Sequence, residues 1–529
     1  MPFFILYYLF FILRLMKKPI TSIISLIFLI NFVFADITVT PYGAAQTVSG
    51  SCFLLSVGDE SVLIDCGLFM DNDNEAGAGA FNSYMPQELV QAKALFLTHA
   101  HLDHCGRVPL LVSKGFEGKI YASAATKELA LALFRERNGF EIVERNWFWS
   151  RAKRDKAQKR NVTAVAHWNE ACGKNIKNIE CSGSPLTLEK LRKNYGVKFL
   201  VCKNCAAKET DEIEKLFVTV SYNNENEFSK NIKFKFIDAG HIPGSASVIF
   251  NINGRKILFS GDLGSGFSKL NGEFSIPEKA DFIFMEATYA EDKSKLSFAD
   301  YDVFQNDLAK AAAEGKIIWI PALAFNRTQK ILYELRLMQD SGKLSKDFPI
   351  HSISPSANNI TGIYQKELKN KEGVWFSEEI YKAGNVLPEN LNTKSNIKFD
   401  NPLIVISSSG DMDKGMSARI ARSLLPRKDV EIMIVNYVGP KSTAGRLLSG
   451  HDTVKGIKNG ANVKKYDIFS DHSDFNLLKK WLSGQEKKTA IYITHSAKEN
   501  AAKMKELLTK EGRTAAIAVF REKIVLADR

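Results

Sequence analysis

Three of the nine histidines in this 529-residue chain stand within six positions, in His99-Ala100-His101-Leu102-Asp103-His104. The run follows Lys93–Thr98, an apolar stretch whose pattern predicts a strand. Extended backbone sends alternate side chains to one face, so His99 and His101 can converge on one metal ion. Asp103 and His104 lie past the turn and can reach a second ion beside it. Imidazole nitrogen and carboxylate oxygen are zinc ligands, and a catalytic zinc keeps an open position for water. Two ions about 3.5–4 Å apart can share a hydroxide between them. Further candidate ligands follow other strand-like runs: His241 in Ala239-Gly240-His241-Ile242-Pro243-Gly244-Ser245, and Asp262 in Ser260-Gly261-Asp262-Leu263-Gly264. Alone, a His or Asp at a strand end is usually structural.

Short strands are predicted at Ile37–Pro41, Cys52–Val57, Ser61–Asp65, Ile232–Ala239, Ser247–Ile252, Lys256–Ser260 and Asp281–Met285, each bounded by Gly, Asp or Ser. Helices are predicted at Arg107–Lys114 and Thr126–Arg137. From about residue 291 the pattern alternates helix (Phe304–Glu314, Thr328–Gln339) with strand (Ile317–Pro321, Pro402–Ser407, Glu431–Tyr437), the rhythm of an open α/β domain with a parallel sheet. Helices at Phe475–Leu482 and Lys498–Lys510 flank a last strand, Lys488–Thr494. Residues 138–230 differ: a basic run (Arg151, Lys153, Arg154, Lys156, Lys159, Arg160) precedes four clustered cysteines, and the segment reads as an insertion.

His99 to His104, His241 and Asp262 together resemble the metallo-β-lactamase superfamily. The resemblance implies that His99, His101 and His241 hold one zinc ion, that Asp103 and His104 hold another, and that Asp262 bridges them. Asp65, in Ile64-Asp65-Cys66-Gly67, would orient a ligand by hydrogen bonding. From about Asp36 to Gly512, apart from 138–230, the chain resembles the β-CASP branch, whose members process nucleic acids. That branch includes the endonuclease of eukaryotic mRNA 3′-end processing and prokaryotic ribonucleases. The likeness is carried by the opening segment Tyr42–Cys52, by Glu286-Ala287-Thr288-Tyr289, by Ile320–Gln329, by Ser407–Met412, by Phe469-Ser470-Asp471-His472-Ser473-Asp474 and by Thr494-His495.

It implies an α/β fold: a four-layer αββα sandwich (residues 36–290 and 461–529) with an inserted α/β cap (291–460). It also implies that His495 completes the second zinc's ligands, that His472 faces the scissile phosphate as general acid or hydrogen-bond donor, and that Glu286 fixes the tautomer of His472. Asp103 joins His472 and Glu286 among the residues on which hydrolysis depends. The implied reaction is attack of a zinc-bridging hydroxide on phosphorus, and the implied partner is single-stranded nucleic acid, RNA favoured, in a cleft under the cap. The implied cofactor is two Zn2+, and Mn2+ also suits a mixed N/O ligand set. The sequence departs from the family pattern at three places. Asp471 replaces Ala before His472, His495-Ser496-Ala497 replaces His-Gly-Glu, and Asn436-Tyr437-Val438-Gly439-Pro440-Lys441 replaces a segment containing Gly-Tyr-Gln.

The formal charge of +12 is compatible with a polyanionic substrate. Residues 1–35 read as a signal peptide beginning at Met16, with a basic start, an apolar run from Ile20 to Phe34 and cleavage after Ala35. Export to a bacterial periplasm is therefore expected, with a cytoplasmic or membrane-anchored chain as the alternative, and no other stretch could span a membrane. Cys52, Cys66 and Cys105 are expected to pack as small buried residues. Cys172, Cys181, Cys202 and Cys205 suit either a structural Zn2+ site, with His167 as an extra ligand, or two disulfides. Besides a zinc ribonuclease, the same residues allow an exported hydrolase of another ester or small phosphodiester, or a binding protein with a degenerate site. A homo-oligomer is compatible with all three.

Overall fold

The structure is a computed structural model that describes residues 36–70, 81–82, 84–136, 179–181, 184–186, 203–266, 268–290, 299–370, 376–400 and 402–526. Two seven-stranded mixed sheets and one six-stranded sheet organise it. The first sheet runs Ile524–Val525, Ile37–Pro41, Phe53–Val57, Glu60–Ile64, Ala94–Phe96, Lys119–Ala122 and Phe217–Thr219. The second runs Thr514–Ile517, Ala490–Thr494, Phe282–Glu286, Arg255–Phe259, Ala246–Ile252, Ile232–Asp238 and Asn226–Glu227.

Both sheets are buried on both faces, so their strands read as nearly continuous apolar runs. Period-two alternation sorts the side chains. Phe234, Phe236, Val248, Phe250, Ile257, Phe259, Phe282 and Phe284 point inward and meet Val39, Phe53, Leu55, Val62, Ile64 and Phe96 of the first sheet. Phe259 and Phe284 stack at 4.7 Å and Phe284 stacks on Tyr492 at 5.0 Å. The outward set of the second sheet, Ile237, Ile249, Leu258, Ile283, Met285, Ile491 and Ile493, packs on the helices Phe475–Trp481 and Lys498–Lys510. The outer face of the first sheet is covered by Val108–Ser113 and Ala124–Arg135. The four layers are thus helix, sheet, sheet, helix, as expected.

The cap sheet is wholly parallel, in the order Leu391–Asn392, Ile350–Ser352, Leu403–Ser407, Ile317–Pro321, Val430–Ile434, Asn462–Lys465. Helices Ala299–Ala313 and Arg327–Asp340 cover one face, and Gly415–Leu424 and Thr443–Leu448 the other. The cap also touches the sandwich, because Tyr364 and Leu368 of helix Pro355–Asn370 join the cluster that contains Leu129 and Phe134.

Two boundaries differ from the sequence reading. Phe217–Thr219 pairs in parallel with Ile120–Ala122, and Asn226–Glu227 pairs with the strand that begins at Ile232, so the C-terminal end of the 138–230 segment belongs to both sheets. These strands are three and two residues long, too short to show a period among charged neighbours. Asn462–Lys465 closes the cap sheet beyond residue 460; as a polar edge strand it carries no apolar signal. Residues 1–35, Cys172 and Cys202 lie outside the described residues, while Cys181 falls in the strand Ile179–Cys181 and Cys205 in the helix Lys203–Glu214. No helix among the described residues is long and apolar enough to cross a membrane.

Candidate active site

Parallel strands end on the same edge of a sheet, and the crevice beyond those ends is where open α/β sheets bind ligands. Asp65 follows Glu60–Ile64, His99 follows Ala94–Phe96, Asp262 follows Arg255–Phe259, Glu286 ends Phe282–Glu286 and His495 follows Ala490–Thr494. All lie at one edge of the sandwich. His101 caps a four-residue helical turn, Leu102–Cys105, which carries Asp103 and His104. The loop after Asp65 is laced to that turn: Cys66 N donates to His104 O, Leu68 N to Leu102 O and Arg107 N to Cys66 O, each at 2.8 Å. Gly67 is required there, since a Cβ would fall 1.6 Å from the Asp103 carbonyl oxygen.

The side chains converge in overlapping groups among the described residues. His99, His101, His241 and Asp262 form the first, Asp103, His104 and His495 the second, and Asp262, Glu286, His472 and His495 a third. In the first, His101 Nδ1 lies 3.1 Å from His99 Nε2 and 3.2 Å from His241 Nε2, and Asp262 Oδ2 lies 3.5 and 3.6 Å from those two Nε2 atoms. In the second, His495 Nε2 lies 3.2 Å from His104 Nε2 and 3.5 Å from Asp103 Oδ2, and Asp262 Oδ1 lies 3.3 Å from His104 Nε2.

These spacings fit a metal. Ligand atoms about 2.0–2.2 Å from a tetrahedral ion are themselves roughly 3.3–3.6 Å apart. Both oxygens of Asp262 are buried and have no hydrogen-bond partner among the described residues, an arrangement that is costly unless a cation satisfies it. Electrostatics agree. Burial, joined by the His104 charge, holds the His99 imidazole well below its ordinary value. Burial, with His472, does the same to His241. For Asp103, burial is outweighed by His495 and His104, and its carboxyl drops to about 2. At His104 burial is overcome by Asp262 and Asp65, which push the imidazole well above its ordinary value. That position demands positive charge, and a divalent cation can supply it in place of a proton.

Supporting contacts surround the ligands. Asp65 Oδ2 lies 2.7 Å from His104 Nδ1 and accepts from Ser51 Oγ at 3.0 Å, while Asp65 Oδ1 accepts from Thr98 N at 2.9 Å. His472 Nδ1 lies 3.3 Å from both oxygens of Glu286, which is fully buried and also accepts from Leu263 N at 2.7 Å. Burial works against a charge on His472, but Glu286 and Asp262 outweigh it and lift the imidazole to about 9.

Some site residues were not anticipated. Thr288 Oγ1 lies 3.1 Å from His495 Nδ1, and Asn271 Nδ2 donates to His241 O at 2.6 Å. Thr288 sits in the Glu286-Ala287-Thr288-Tyr289 motif, where its hydroxyl was a visible signal; Asn271 offered none. Ser496, at a departure from the expected motif, donates to Ala287 O at 2.6 Å and ties the His495 turn to the Glu286 strand. Cys52, Cys66 and Cys105 are free and buried, as expected.

Comparison with known proteins agrees with this geometry. The metallo-beta-lactamase superfamily profile matches residues 45–156, the Beta-Casp domain profile 328–447 and the Zn-dependent metallo-hydrolase RNA specificity domain profile 456–519. A ribonuclease of Thermus thermophilus is 25% identical over 500 residues, covering 92% of this chain and 99% of the relative. An RNase J-like protein of Methanocaldococcus jannaschii is 25% identical over 471 residues, covering 86% and 91%. The cleavage and polyadenylation specificity factor 73 of Drosophila melanogaster is 23% identical over 489 residues, covering 89% of this chain and 62% of that one. With the three domain profiles matched in chain order and the His/Asp groups gathered at one sheet edge, this chain belongs to the β-CASP branch of the metallo-β-lactamase superfamily and is a metal-dependent hydrolase.

Proposed function

We propose that the chain is a two-zinc phosphodiester hydrolase that cleaves single-stranded RNA. The observation that carries this reading is the pair of orphaned Asp262 oxygens, each turned to its own group of His and Asp donors, beside a His472 held by Glu286. His99, His101, His241 and Asp262 would hold one ion, and Asp103, His104, His495 and Asp262 the other. The ions supply Lewis acidity and lower the pKa of water. The chain's own residues do the rest. Asp65 fixes the His104 ring, and Thr288 fixes that of His495. Glu286 accepts a hydrogen bond from Nδ1–H of His472 and keeps that proton on the ring, which leaves Nε2–H to donate to a phosphate oxygen or to the departing alkoxide. RNA is favoured by what its relatives are, a ribonuclease and an RNase J-like protein, and by the positive charge of the chain. Export through residues 1–35 is part of the proposal, and N-terminal sequencing of the protein recovered from its native cell would find Asp36 first.

The experiment is metal analysis of the chain from Asp36, followed by incubation with end-labelled single-stranded RNA beside His472→Ala. About two zinc ions per chain and a loss of cleavage of at least ~100-fold in the variant are expected. Metal-loaded enzyme that ignores RNA but hydrolyses a small chromogenic ester would instead favour an exported hydrolase of another substrate.

A further inference from the structure

One buried ion cluster belongs to neither metal group. Asp471, immediately before His472, is only 7% exposed, and its carboxylate is gripped from the cap. Asn326 Nδ2 donates to Oδ1 at 2.9 Å, Arg327 Nη2 to Oδ2 at 3.0 Å, and Lys330 Nζ also pairs with Oδ1. All three partners are nine-tenths or more buried. They form the N-terminus of helix Arg327–Asp340, where the helix dipole favours an anion. Asn326 caps that helix at φ +57° and ψ −46°, a backbone that non-glycine residues rarely adopt, and its side chain serves Asp471 rather than the helix N–H groups. Arg327 Nη1 also bonds Val435 O, just past the end of the cap strand Val430–Ile434.

The other side of Asp471 faces the metal site. Its carbonyl oxygen lies 2.8 Å from His241 Nδ1, the nitrogen opposite the one that joins the first ligand group. Its peptide leads directly into His472. Asp471 stands where the resembled motif carries Ala. The geometry points to Asp471 as a positioning residue: through its carboxylate the cap fixes the backbone that sets the His241 ring and the aim of His472. This inference rests on the role assigned to His472 above. Two cations meet one carboxylate, so a neutral Asp471 would strand both. Removal of Lys330 leaves a balanced Arg327–Asp471 pair and loosens the carboxylate without unbalancing the cluster.

The test uses the full chain with its metal. Asp471→Asn is expected to melt early, so the decisive variant is Lys330→Met, assayed on bis(p-nitrophenyl) phosphate and on single-stranded RNA, with melting temperature and bound metal measured alongside. The clamp predicts a kcat lowered about tenfold on both substrates, since small displacements of reacting groups carry such costs. KM is expected to stay within about twofold, with wild-type metal content. A folded, metal-loaded variant with unchanged kcat would overturn the inference and reduce the cluster to a fastening for the cap. Activity fully restored by added metal would overturn it as well, because the defect would then be metal retention. Wild-type enzyme that hydrolyses the small diester but not RNA would sink the RNA reading and leave this one standing.

Discussion

Around the metal groups, single side chains set how tightly the ligands are held. Thr288 is the partner of His495 Nδ1. Loss of such an outer hydrogen bond commonly weakens metal binding about 10–100-fold. Thr288→Val is expected to do so in a competitive chelator titration, and unchanged affinity would show that His495 is held by its backbone alone. Asp238 behaves differently. Burial raises its carboxyl to about 6, while the Gly240 N–H that it accepts at 2.8 Å works the other way. The folded value lies above the unfolded one near 3.9, so folding binds a proton more tightly than the open chain does. The stabilising contribution is present in full below about pH 3.9 and is lost as pH rises through about 6. Asp238→Asn keeps the acceptor and is expected to be about 1–3 kcal/mol more stable than wild type at pH 8. That difference should close by pH 4; a constant difference in denaturant melts across that range would refute the assignment.

At the scale of elements, the turn Leu102–Cys105 depends on its neighbour loop more than on its own length. Gly67→Ala places a methyl group against the Asp103 carbonyl and is expected to cost about 3 kcal/mol with loss of bound metal. Wild-type metal content and melting would show that the loop yields. The sandwich strands were legible because residues such as Phe234, Phe250 and Phe284 make apolar runs bounded by Gly and Asp. The metal ligands were legible because three His and an Asp crowd one turn. Much of the cap was not. Helix Pro355–Asn370 carries Ile360, Tyr364 and Leu368 at four-residue spacing, but Asn358, Asn359 and Gly362 dilute its propensity, and packing on the sandwich decides the outcome. The Asp471 cluster had no local signal, because its partners lie 141 to 145 residues away in the chain.

Across the whole molecule, the metal groups join segments that the chain keeps far apart: His104 meets His495 across 391 residues, and Asp262 lies between them. A bound cation would satisfy the two buried Asp262 oxygens, which have no hydrogen-bond partner among the described residues. Treatment with a strong chelator is therefore expected to lower the melting temperature, by an amount matching ~4 kcal/mol when free metal had stood at a thousandfold over Kd. Equal melting with and without chelator would mean that the groups hold no ion in solution. The same long closure bears on synthesis. Ala490–Thr494 enters beside Phe282–Glu286, and the short strand Ile524–Val525 completes the first sheet against Ile37–Pro41. A ribosome that has not yet released residue 495 carries a polypeptide that lacks one donor of the second group, His495. The nascent chain therefore cannot assemble the second donor group until residue 495 has left the ribosome.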